Sequence, residues 1–386
     1  MTLRPTSEGL EVGFFVPSAG FSAVAIGANM NGMPRTLERL TNGHDLTEQE
    51  AADVLLALTA SGGSQALSGA VLAALVSKGE TAEEIRGFAG AMRHRAIRAD
   101  VADGLPAIDI VGTGGDGSGS LNLSTGAALL TASCGQPVIK HGNRSVSSRS
   151  GSADVLEALG LALPHDERSA VECLERTGFT FLFAPYFHPA MRAMVPVRQA
   201  LGIRTVFNIL GPLTNPAEPP FYLIGAYDLD VAARMAEALA GMKIERAFVV
   251  HGACGWDEAT PFGPFELFDV RPGSVRRLER DPAEHGVPRC RPSDLIGGDP
   301  LENALRLRAA LEGERGPHRD ALQLGAALAL EITGGAGTLD TGLGIAAAAI
   351  DDGSAAQLLE RLRTFSPTGA TDVTEATEVT GAARHV

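Results

Sequence analysis

The sequence predicts an α/β protein in which a small all-helical N-terminal domain precedes a larger α/β domain with a central sheet. Two observations carry this prediction. Residues 35–105 show helical periodicity behind two capping boxes, and from residue 106 onward strand-like runs alternate with helical ones. A length of 386 residues is enough for two domains. We therefore predict a helical domain over residues 35–105 and an α/β domain over residues 106–365.

The helical domain is predicted from the way its helices begin. Thr47 with Glu50, and Thr81 with Glu84, each match a capping box, in which the two side chains satisfy free N–H groups at the start of a helix. Apolar residues at helical spacing follow each box, among them Leu55, Leu56, Leu58, Val71, Leu72 and Leu75. We expect these apolar stripes to pack against one another.

The larger domain is predicted from the alternation of strands and helices. Strand-like apolar runs cover residues 107–111, 137–139, 179–183 and 246–250, with helical segments such as 152–159 between them. Residues 300–364 are again helical and rich in alanine and leucine. This alternation is typical of a sheet whose strands are joined by crossover helices.

The two ends of the chain are predicted to lie outside both domains. Residues 1–34 lack a positive segment before their apolar stretch, because Arg4 is outweighed by Glu8 and Glu11, so we expect a poorly ordered extension rather than a signal peptide. Residues 366–386 show no periodicity and are expected to form a disordered tail. No stretch reaches the roughly 18 apolar residues that a membrane span needs.

The charge and cysteine content exclude several classes of protein. Asp and Glu outnumber Lys and Arg by 46 to 32, giving a net charge of −14, which disfavours nucleic acid and anionic membrane surfaces as partners. The four cysteines form no CxxC pair, so neither a zinc ribbon nor a dithiol redox site is predicted. Such sparse thiols fit a reducing cytoplasm.

A glycine-rich segment at residues 109–125 follows the first predicted strand of the larger domain. Gly112, Gly114 and Gly117 satisfy the GxGxxG pattern of dinucleotide-binding folds. That interpretation is disfavoured, because the predicted helix begins only after residue 125. In addition, the next strand runs into Lys140, near where a nicotinamide site would place an acidic residue.

The same segment is better explained as a phosphate cradle. Glycines let backbone N–H groups approach an anion closely, and a helix N-terminus adds a favourable partial charge. Asn122, Ser124 and Thr125 add side-chain donors at the mouth of the helix. Two alternatives stay open: Ser124 turns its oxygen toward a cation, or Ser124 and Thr125 simply cap the helix.

A second polar loop follows the next predicted strand and would form the other wall of the site. No Asp or Glu occurs between Asp116 and Asp154. This acid-free stretch carries three cations and many hydroxyl groups, namely Lys140, Arg144, Arg149, Ser145, Ser147, Ser148, Ser150 and Ser152. Since ligands bind at the carboxyl ends of strands in α/β sheets, the two loops together suit a diphosphate.

An acidic pair completes the predicted site. Asp257 and Glu258 follow a predicted strand and a glycine turn, and they can share or bridge the magnesium ions that a diphosphate usually requires. The chain contains no Ser-His-Asp order, GxSxG, HExxH or Walker A lysine motif. We therefore predict no covalent intermediate and no catalytic side chain, and expect positioning and metal assistance to carry the reaction.

Several segments resemble the anthranilate phosphoribosyltransferase family in order and spacing, over residues 37–365. The matching segments are 112–116, 122–125, 140–143, 150–154, 187–191, 197–198, 207–216 and 297–300. The resemblance implies a fold shared with pyrimidine nucleoside phosphorylases, a homodimer, and a small domain that also takes in residues 190–212. It implies transfer of phosphoribose from 5-phosphoribosyl pyrophosphate (PRPP) to the amine of anthranilate, a step of tryptophan biosynthesis.

The resemblance also implies roles for individual residues. PRPP would contact Gly112, Gly115, Asp116, Ser120, Asn122, Leu123, Ser124, Thr125, Lys140, His141, Gly142, Asn143, Arg144, Ser145, Val146, Ser147, Ser148 and Ser152. Anthranilate would lie near Gly112, Asn143, His188, Arg198 and Pro212, with Arg198 facing its carboxylate. Magnesium, expected as two ions per site, would be held by Ser124, Asp257 and Glu258.

Departures from the family pattern leave alternatives open. Cys254 stands where an acidic residue is usual, Trp256 replaces an aliphatic residue, residues 259–263 are atypical, and Gly325 stands where asparagine is common. Because several of these flank the acidic pair, a phosphoribosyltransferase with another or a substituted aromatic acceptor is the main alternative. A non-catalytic nucleotide-binding or regulatory protein is a third, which the intact metal and acceptor residues disfavour.

Overall fold

The computed structural model describes residues 11–13, 32–60, 62–145 and 149–367. The predicted N-terminal extension therefore lies mostly outside the described residues, as does the predicted tail from residue 368. Within the extension, Glu11–Gly13 forms a short strand, β1, which the sequence does not predict.

The N-terminal domain consists of helices, as predicted. They are α1 (Met33–Thr41), α2 (Glu48–Leu58), α3 (Gln65–Lys78) and α4 (Ala82–His94). Both predicted capping boxes are present, at Thr47 with Glu50 and at Thr81 with Glu84. The predicted stripes are buried, with Leu55 and Leu72 at 1% and 0% exposure, so the helices pack through the residues that the periodicity indicates.

The larger domain is built on one mixed sheet. Its other strands are β2 (Ile108–Gly112), β3 (Val138–Gly142), β4 (Phe179–Phe183), β5 (Phe221–Gly225), β6 (Arg246–His251), β7 (Phe265–Arg271) and β8 (Ser274–Arg280). The strand order is β1-β8-β7-β6-β5-β2-β3-β4. Strands β2 to β6 are mutually parallel, and β7, β8 and β1 add antiparallel pairs at one edge.

Helices connect and cover these strands. They are α5 (Leu123–Ser133), α6 (Ser152–Ala158), α7 (Glu167–Thr177), α8 (Ala184–Phe187), α9 (Val195–Leu201), α10 (Phe207–Leu210), α11 (Leu229–Ala240), α12 (Pro300–Leu311), α13 (Pro317–Thr333), α14 (Leu339–Asp351) and α15 (Ser354–Arg363). No helix in the described residues is both long and apolar enough to cross a bilayer. All four cysteines are free thiols.

Alternating side chains of the strands bury the two faces of the sheet in different cores. Leu223 and Phe248 join the core formed with α5 and α12–α15, whereas Tyr222 and Val249 join the core formed with the N-terminal helices and α11. This period of two is the pattern of a strand covered on both faces. The helical domain is therefore packed onto the sheet through one continuous apolar core.

Residues 189–213 pack with the N-terminal helices although they are distant in sequence. Met194 and Val197 belong to the same buried core as the N-terminal helices. Arg93, at the end of α4, donates Nε–H to the Leu213 carbonyl at 2.8 Å and Nη2–H to the Tyr222 hydroxyl at 3.2 Å. One buried guanidinium thus joins the helical domain, this segment and the sheet.

We expect Arg93→Met to destabilise the protein by about 2 kcal/mol, because a buried carbonyl and a buried hydroxyl lose their donor. Urea denaturation followed by circular dichroism measures this loss. Arg93 and Arg98 both lie 3.8 Å from the carboxylate of Glu218, but the Arg98 side chain is 67% exposed, so Arg98→Met is the matched control. Equal losses of stability for the two variants would contradict the role of the buried link.

Candidate active site

A cavity of about 550 Å³ lies at the carboxyl ends of the parallel strands, between the sheet and the helical domain. Every site residue predicted above that the structure describes lines this one cavity. Val146, Ser147 and Ser148 lie outside the described residues. The sequence therefore brings the predicted phosphate, acceptor and metal residues to a common place, as expected for ligands bound at strand carboxyl ends.

The loop after β2, residues 113–122 (the first loop), owes its shape to glycine. Gly114, Gly115, Gly117 and Gly119 all have φ between +63° and +77°, a backbone conformation that other residues rarely adopt. Asp116 Oδ1 accepts from the Ser118 N–H at 3.0 Å and from its hydroxyl at 2.8 Å, which closes a tight turn between the glycines. The loop is therefore rich in glycine because its backbone conformation requires residues that adopt a positive φ.

Helix α5 begins at Leu123, three residues earlier than the sequence predicts. Ser124 and Thr125 therefore lie inside the first turn and do not cap the helix, so the capping alternative is wrong. The Ser124 N–H donates to Glu258 Oε1 at 3.1 Å. Asn122, at the N-cap position, donates from Nδ2 to the Ser150 carbonyl at 3.0 Å, which ties the first loop to the next one.

The loop after β3, residues 143–151 (the second loop), is held by an acidic residue from its own helix. Asp154 Oδ2 accepts from the N–H groups of Ser145 at 3.0 Å and Gly151 at 2.9 Å. The Arg144 guanidinium bonds to Asp154 and, through two contacts of 2.6 Å, to Glu157. The acid-free stretch therefore ends at Asp154, and the carboxylates of Asp154 and Glu157 pair with Arg144 of that same stretch.

Lys140 lies in the floor of the cavity. Lys140 is only 1% exposed. Its ammonium donates to the Ile110 carbonyl and lies 3.4 Å from Ser124 Oγ. Burial lowers the pKa of Lys140, and the charges of Asp109, Glu258 and Asp257 oppose that effect. The lysine is therefore a buried counter-charge beside the site.

The acidic pair packs directly against glycines at the strand ends. A Cβ at Gly112 would lie 2.4 Å from Asp257 Oδ2, and one at Gly225 would lie 1.6 Å from the Asp257 carbonyl oxygen, so both positions require glycine. Asp257 Oδ2 accepts from the Gly114 N–H at 2.6 Å. Burial raises the pKa of Asp257 and of Glu258, and neighbouring carboxylates raise both further.

The oxygen atoms of the acidic pair and of Ser124 fit a magnesium ion as ligands. The Asp257 and Glu258 carboxylates and the Ser124 hydroxyl are oxygen ligands of the kind that Mg²⁺ prefers, and a cation would relieve the repulsion that raises both carboxyl pKa values. Among the described residues, no three His, Cys, Asp or Glu side chains form a metal-binding cluster. The remaining ligands would have to be phosphate oxygens and water, which is typical of Mg²⁺.

The opposite side of the cavity carries an arginine and two neutral histidines. Arg198 is half-buried and lies 5.7 Å from the centre of the Phe207 ring, and burial lowers its pKa. Among the described residues, no carboxylate lies within 4.0 Å of its guanidinium. A cation held in this way is available to a bound anion.

His141 and His188 lie beside each other, with ring centroids 5.1 Å apart. His141 Nδ1 contacts the Gly211 carbonyl at 3.2 Å, and His188 Nε2 contacts the Thr214 carbonyl at 3.0 Å. A carbonyl only accepts, so these nitrogens carry the protons of the neutral rings. Burial lowers the pKa of His141 to about 3 and of His188 to about 4, which keeps both rings uncharged.

The cavity also contains residues that sequence reasoning missed. Asn303 of α12 is 1% exposed, donates from Nδ2 to Asn122 Oδ1 at 2.9 Å and accepts from the Gly298 N–H at 2.6 Å. Asn303 follows the matching segment 297–300 closely, and this position could have indicated that it belongs to the site. Met92 of α4 also lines the cavity, but an apolar residue on an amphipathic helix carries no signal of that kind.

Two family models match the chain. The helical bundle domain of a glycosyl transferase family matches residues 34–96, and the a/b domain of a glycosyl transferase family matches residues 104–356. These matches coincide with the N-terminal helices and with the sheet and its covering helices. The predicted combination of a helical domain with a larger α/β domain is confirmed.

Curated relatives match over most of the chain. The anthranilate phosphoribosyltransferase of Methylobacterium nodulans is 47% identical over 326 residues, which are 84% of this chain and 96% of that protein. The enzyme of the same name from Desulforudis audaxviator is 47% identical over 330 residues, which are 86% of this chain and 95% of that protein.

Solved structures agree. The anthranilate phosphoribosyltransferase of Thermus thermophilus superposes with a TM-score of 0.79 at 43% identity and covers 85% of this chain and 98% of its own. The enzyme of that name from Saccharomyces cerevisiae, in complex with PRPP and Mg, gives a TM-score of 0.79 at 27% identity, covering 87% and 98%. The resemblance seen in the motifs is confirmed, and the chain belongs to the anthranilate phosphoribosyltransferase family.

Proposed function

We propose that this chain transfers the 5-phosphoribosyl group of PRPP to the amine of anthranilate, giving N-(5-phosphoribosyl)anthranilate and diphosphate, within tryptophan biosynthesis. The observation that carries the proposal is a half-buried arginine without an acidic partner among the described residues, Arg198, in the same cavity as two phosphate loops and an acidic pair. The relatives' names support it, as do the Saccharomyces cerevisiae structures with PRPP and Mg and with 4-fluoroanthranilate.

In this reaction the amine nitrogen bonds to the anomeric carbon while the bond from that carbon to the diphosphate oxygen breaks. The electron pair of the broken bond leaves with diphosphate, and the proton of the new ammonium group passes to solvent or product. Both histidines of the cavity are neutral, with the pKa of His141 at about 3 and that of His188 at about 4, so neither is a strong base. An aromatic amine attacks without prior deprotonation, and no catalytic side chain is required.

The chain's own residues then position the two substrates. The first loop offers backbone N–H groups to the diphosphate, and the second loop forms the other side. We assign Ser124, Asp257 and Glu258 to magnesium, with two ions per site. When bound, Mg²⁺ neutralises the charge that develops on the leaving diphosphate. Orientation and electrostatic stabilisation supply the rate enhancement.

Anthranilate is favoured over a substituted acceptor because the family departures lie away from the cavity wall. Trp256 is 6% exposed and packs edge-to-face on Phe262 at 4.9 Å. Neither Cys254 nor Gly325 lines the cavity, and a Cβ at Gly325 would meet Ala127 at 2.7 Å. These departures therefore leave the lining of the cavity, including its acceptor side, unaltered.

We expect Arg198→Ala to raise the KM for anthranilate by about 10- to 100-fold, the usual effect of losing a charge-assisted hydrogen bond. The KM for PRPP should change less than about threefold, since Arg198 faces only the acceptor. Steady-state kinetics by anthranilate fluorescence measures both. The methyl ester of anthranilate is the control acceptor: its use should be unaffected by the substitution, and equal losses for both substrates and both acceptors would contradict the assignment.

We expect Asp257→Asn with Glu258→Gln to lower kcat by at least about 100-fold at every magnesium concentration, because neutral amides ligate the ion poorly and metal assistance contributes several kcal/mol. Turnover measured across a magnesium titration tests this. Glu266→Gln, which removes a carboxylate from the neighbouring strand β7, is the control and should leave kcat unchanged. Near-normal activity of the double variant would remove the metal assignment.

We further propose that the helical domain comprises residues 35–105 together with residues 190–212, and that the α/β domain comprises residues 106–365. We propose that the chain forms a homodimer through the helical domain. We place the interface at Val76 of α3 and Ile203 after α9, two large aliphatic side chains of this domain that are 38% and 50% exposed. The free thiols of all four cysteines support a location in the cytoplasm.

The wild-type chain should sediment as a dimer, and Val76→Glu with Ile203→Glu should sediment as a monomer, because two buried charges at an interface cost more than the apolar contacts they replace. Sedimentation velocity at several concentrations measures this. Leu301→Glu is the control, since Leu301 is 62% exposed but lies on α12 of the larger domain. A wild-type monomer, or a dimer that survives the double substitution, would refute the proposed interface.

A further inference from the structure

Strands β2 and β3 share backbone pairing only where they begin. They pair at a single register position, Ile108 with Val138, whereas β2 pairs with β5 at five positions and β3 pairs with β4 at five. This missing backbone pairing (the gap) lies between the two strands whose carboxyl ends lead into the first and second loops.

Two side chains replace the missing bonds between these strands. Asp109 Oδ1 accepts from the backbone N–H of His141 at 3.2 Å, and the ammonium of Lys140 donates to the Ile110 carbonyl. Asp109 and Lys140 are 0% and 1% exposed, so neither group has water as an alternative partner. A backbone donor of β3 and a backbone acceptor of β2 are thus satisfied across the gap by side chains.

Asn215 fixes the orientation of the Asp109 carboxylate. Its Nδ2 donates to Asp109 Oδ2 at 2.9 Å and to the Ile139 carbonyl at 2.8 Å, and its Oδ1 accepts from the Ala217 N–H at 3.0 Å. Asn215 is 0% exposed. Each carboxylate oxygen of Asp109 therefore has one donor, from β3 on one side and from Asn215 on the other.

Asn215 directly follows the part of the cavity wall formed by residues 211–214 (the acceptor wall). The Gly211 carbonyl holds the ring of His141, and the Thr214 carbonyl holds the ring of His188. Both histidines line the cavity. The Asp109–Asn215 contact therefore connects β2, the strand that leads into the first loop, with the wall against which the acceptor would lie.

We propose that Asp109 and Asn215 are positioning residues, whose buried contact sets the acceptor wall against the phosphate loops so that the two substrates meet in a reactive geometry. Neither residue lines the cavity, so neither touches a substrate. The inference deepens the proposed function and rests on it. Displacing a reacting group by about 1 Å costs up to about 100-fold in rate, so a small shift of this wall is sufficient.

The test uses isosteric exchanges at the two positions. In Asp109→Asn the new amide NH₂ faces a donor, either the His141 N–H or Asn215 Nδ2, so one bond is lost and a donor is left unpaired. In the double variant Asp109→Asn with Asn215→Asp, the amide donates to the new carboxylate and still accepts from His141. The pair of exchanges therefore restores the bonds of position 109 to His141 and to position 215, although the new carboxylate faces the Ile139 carbonyl, which has lost its donor.

The matched control is Asp269→Asn. Asp269 is a carboxylate of the same sheet, 7% exposed and paired with Arg246 at 2.8 Å, but it lies on β7 outside the cavity. We expect both single variants to lose thermal stability. Only Asp109→Asn should lose kcat, by about 100-fold, while the Kd of PRPP and of anthranilate by calorimetry stays within about threefold of wild type. The double variant should regain at least about tenfold in kcat over Asp109→Asn.

Three results would overturn the proposal. The first is a kcat of Asp109→Asn within about threefold of that of Asp269→Asn, and the second is a double variant no more active than Asp109→Asn. If Asp109→Asn is unfolded at the assay temperature, Asn215→Ala replaces it, because this variant removes the same contact without changing the charge. Asn215→Ala must then show the loss of kcat, and full activity of this variant is the third result that would overturn the proposal. A wild-type chain that fails to turn over PRPP and anthranilate would overturn the proposed function itself, and this inference with it.

Discussion

The buried ammonium of Lys140 is the charge on which the rest of the site depends. Burial raises the pKa of both Asp109 and Glu258, and the lysine opposes that effect on each. Asp257 lies in the same cluster. Its pKa is raised mainly by burial and further by the charge of Asp116. Without a cation at this position, several carboxylates with little access to water would meet only like charge, and such an arrangement is strongly destabilising. One lysine in the middle of β3 therefore permits an acidic pair and a structural carboxylate to coexist.

This use of Lys140 changes how a diphosphate would be neutralised. Of the three cations that the sequence places around the loops, one is buried in the floor and a second, Arg144, is bonded to Asp154 and Glu157. Arg149 is exposed at the rim. Backbone N–H groups of the first loop must then supply much of the binding, together with a divalent cation. The four glycines of that loop have positive φ, a backbone conformation that suits an anion-binding loop.

Much of this site could be predicted from the sequence, because its parts are local. A capping box, a run of glycines after a strand, and two carboxylates after a glycine turn each follow from residues within a few positions of one another. The contacts that the sequence could not reveal join distant segments. Asn215 reaches Asp109 across 106 positions, and Asn303 reaches Asn122 across 181. The predicted start of α5 lies too late because Ser and Thr are good caps, whereas the backbone places Ser124 in the first turn, with its N–H on the distant Glu258.

The acceptor side of the cavity would select its ligand by the hydrogen-bonding capacity it leaves open. The protonated nitrogens of His141 and His188 are both used by backbone carbonyls, and Nε2 of His141 is buried without a partner. Neither ring therefore offers an N–H to a bound carboxylate. Arg198, without a carboxylate partner in the described residues, is the group nearby that attracts a carboxylate. An aromatic acceptor would therefore be oriented by its carboxylate on Arg198, and a ring without that carboxylate would leave the half-buried guanidinium unpaired.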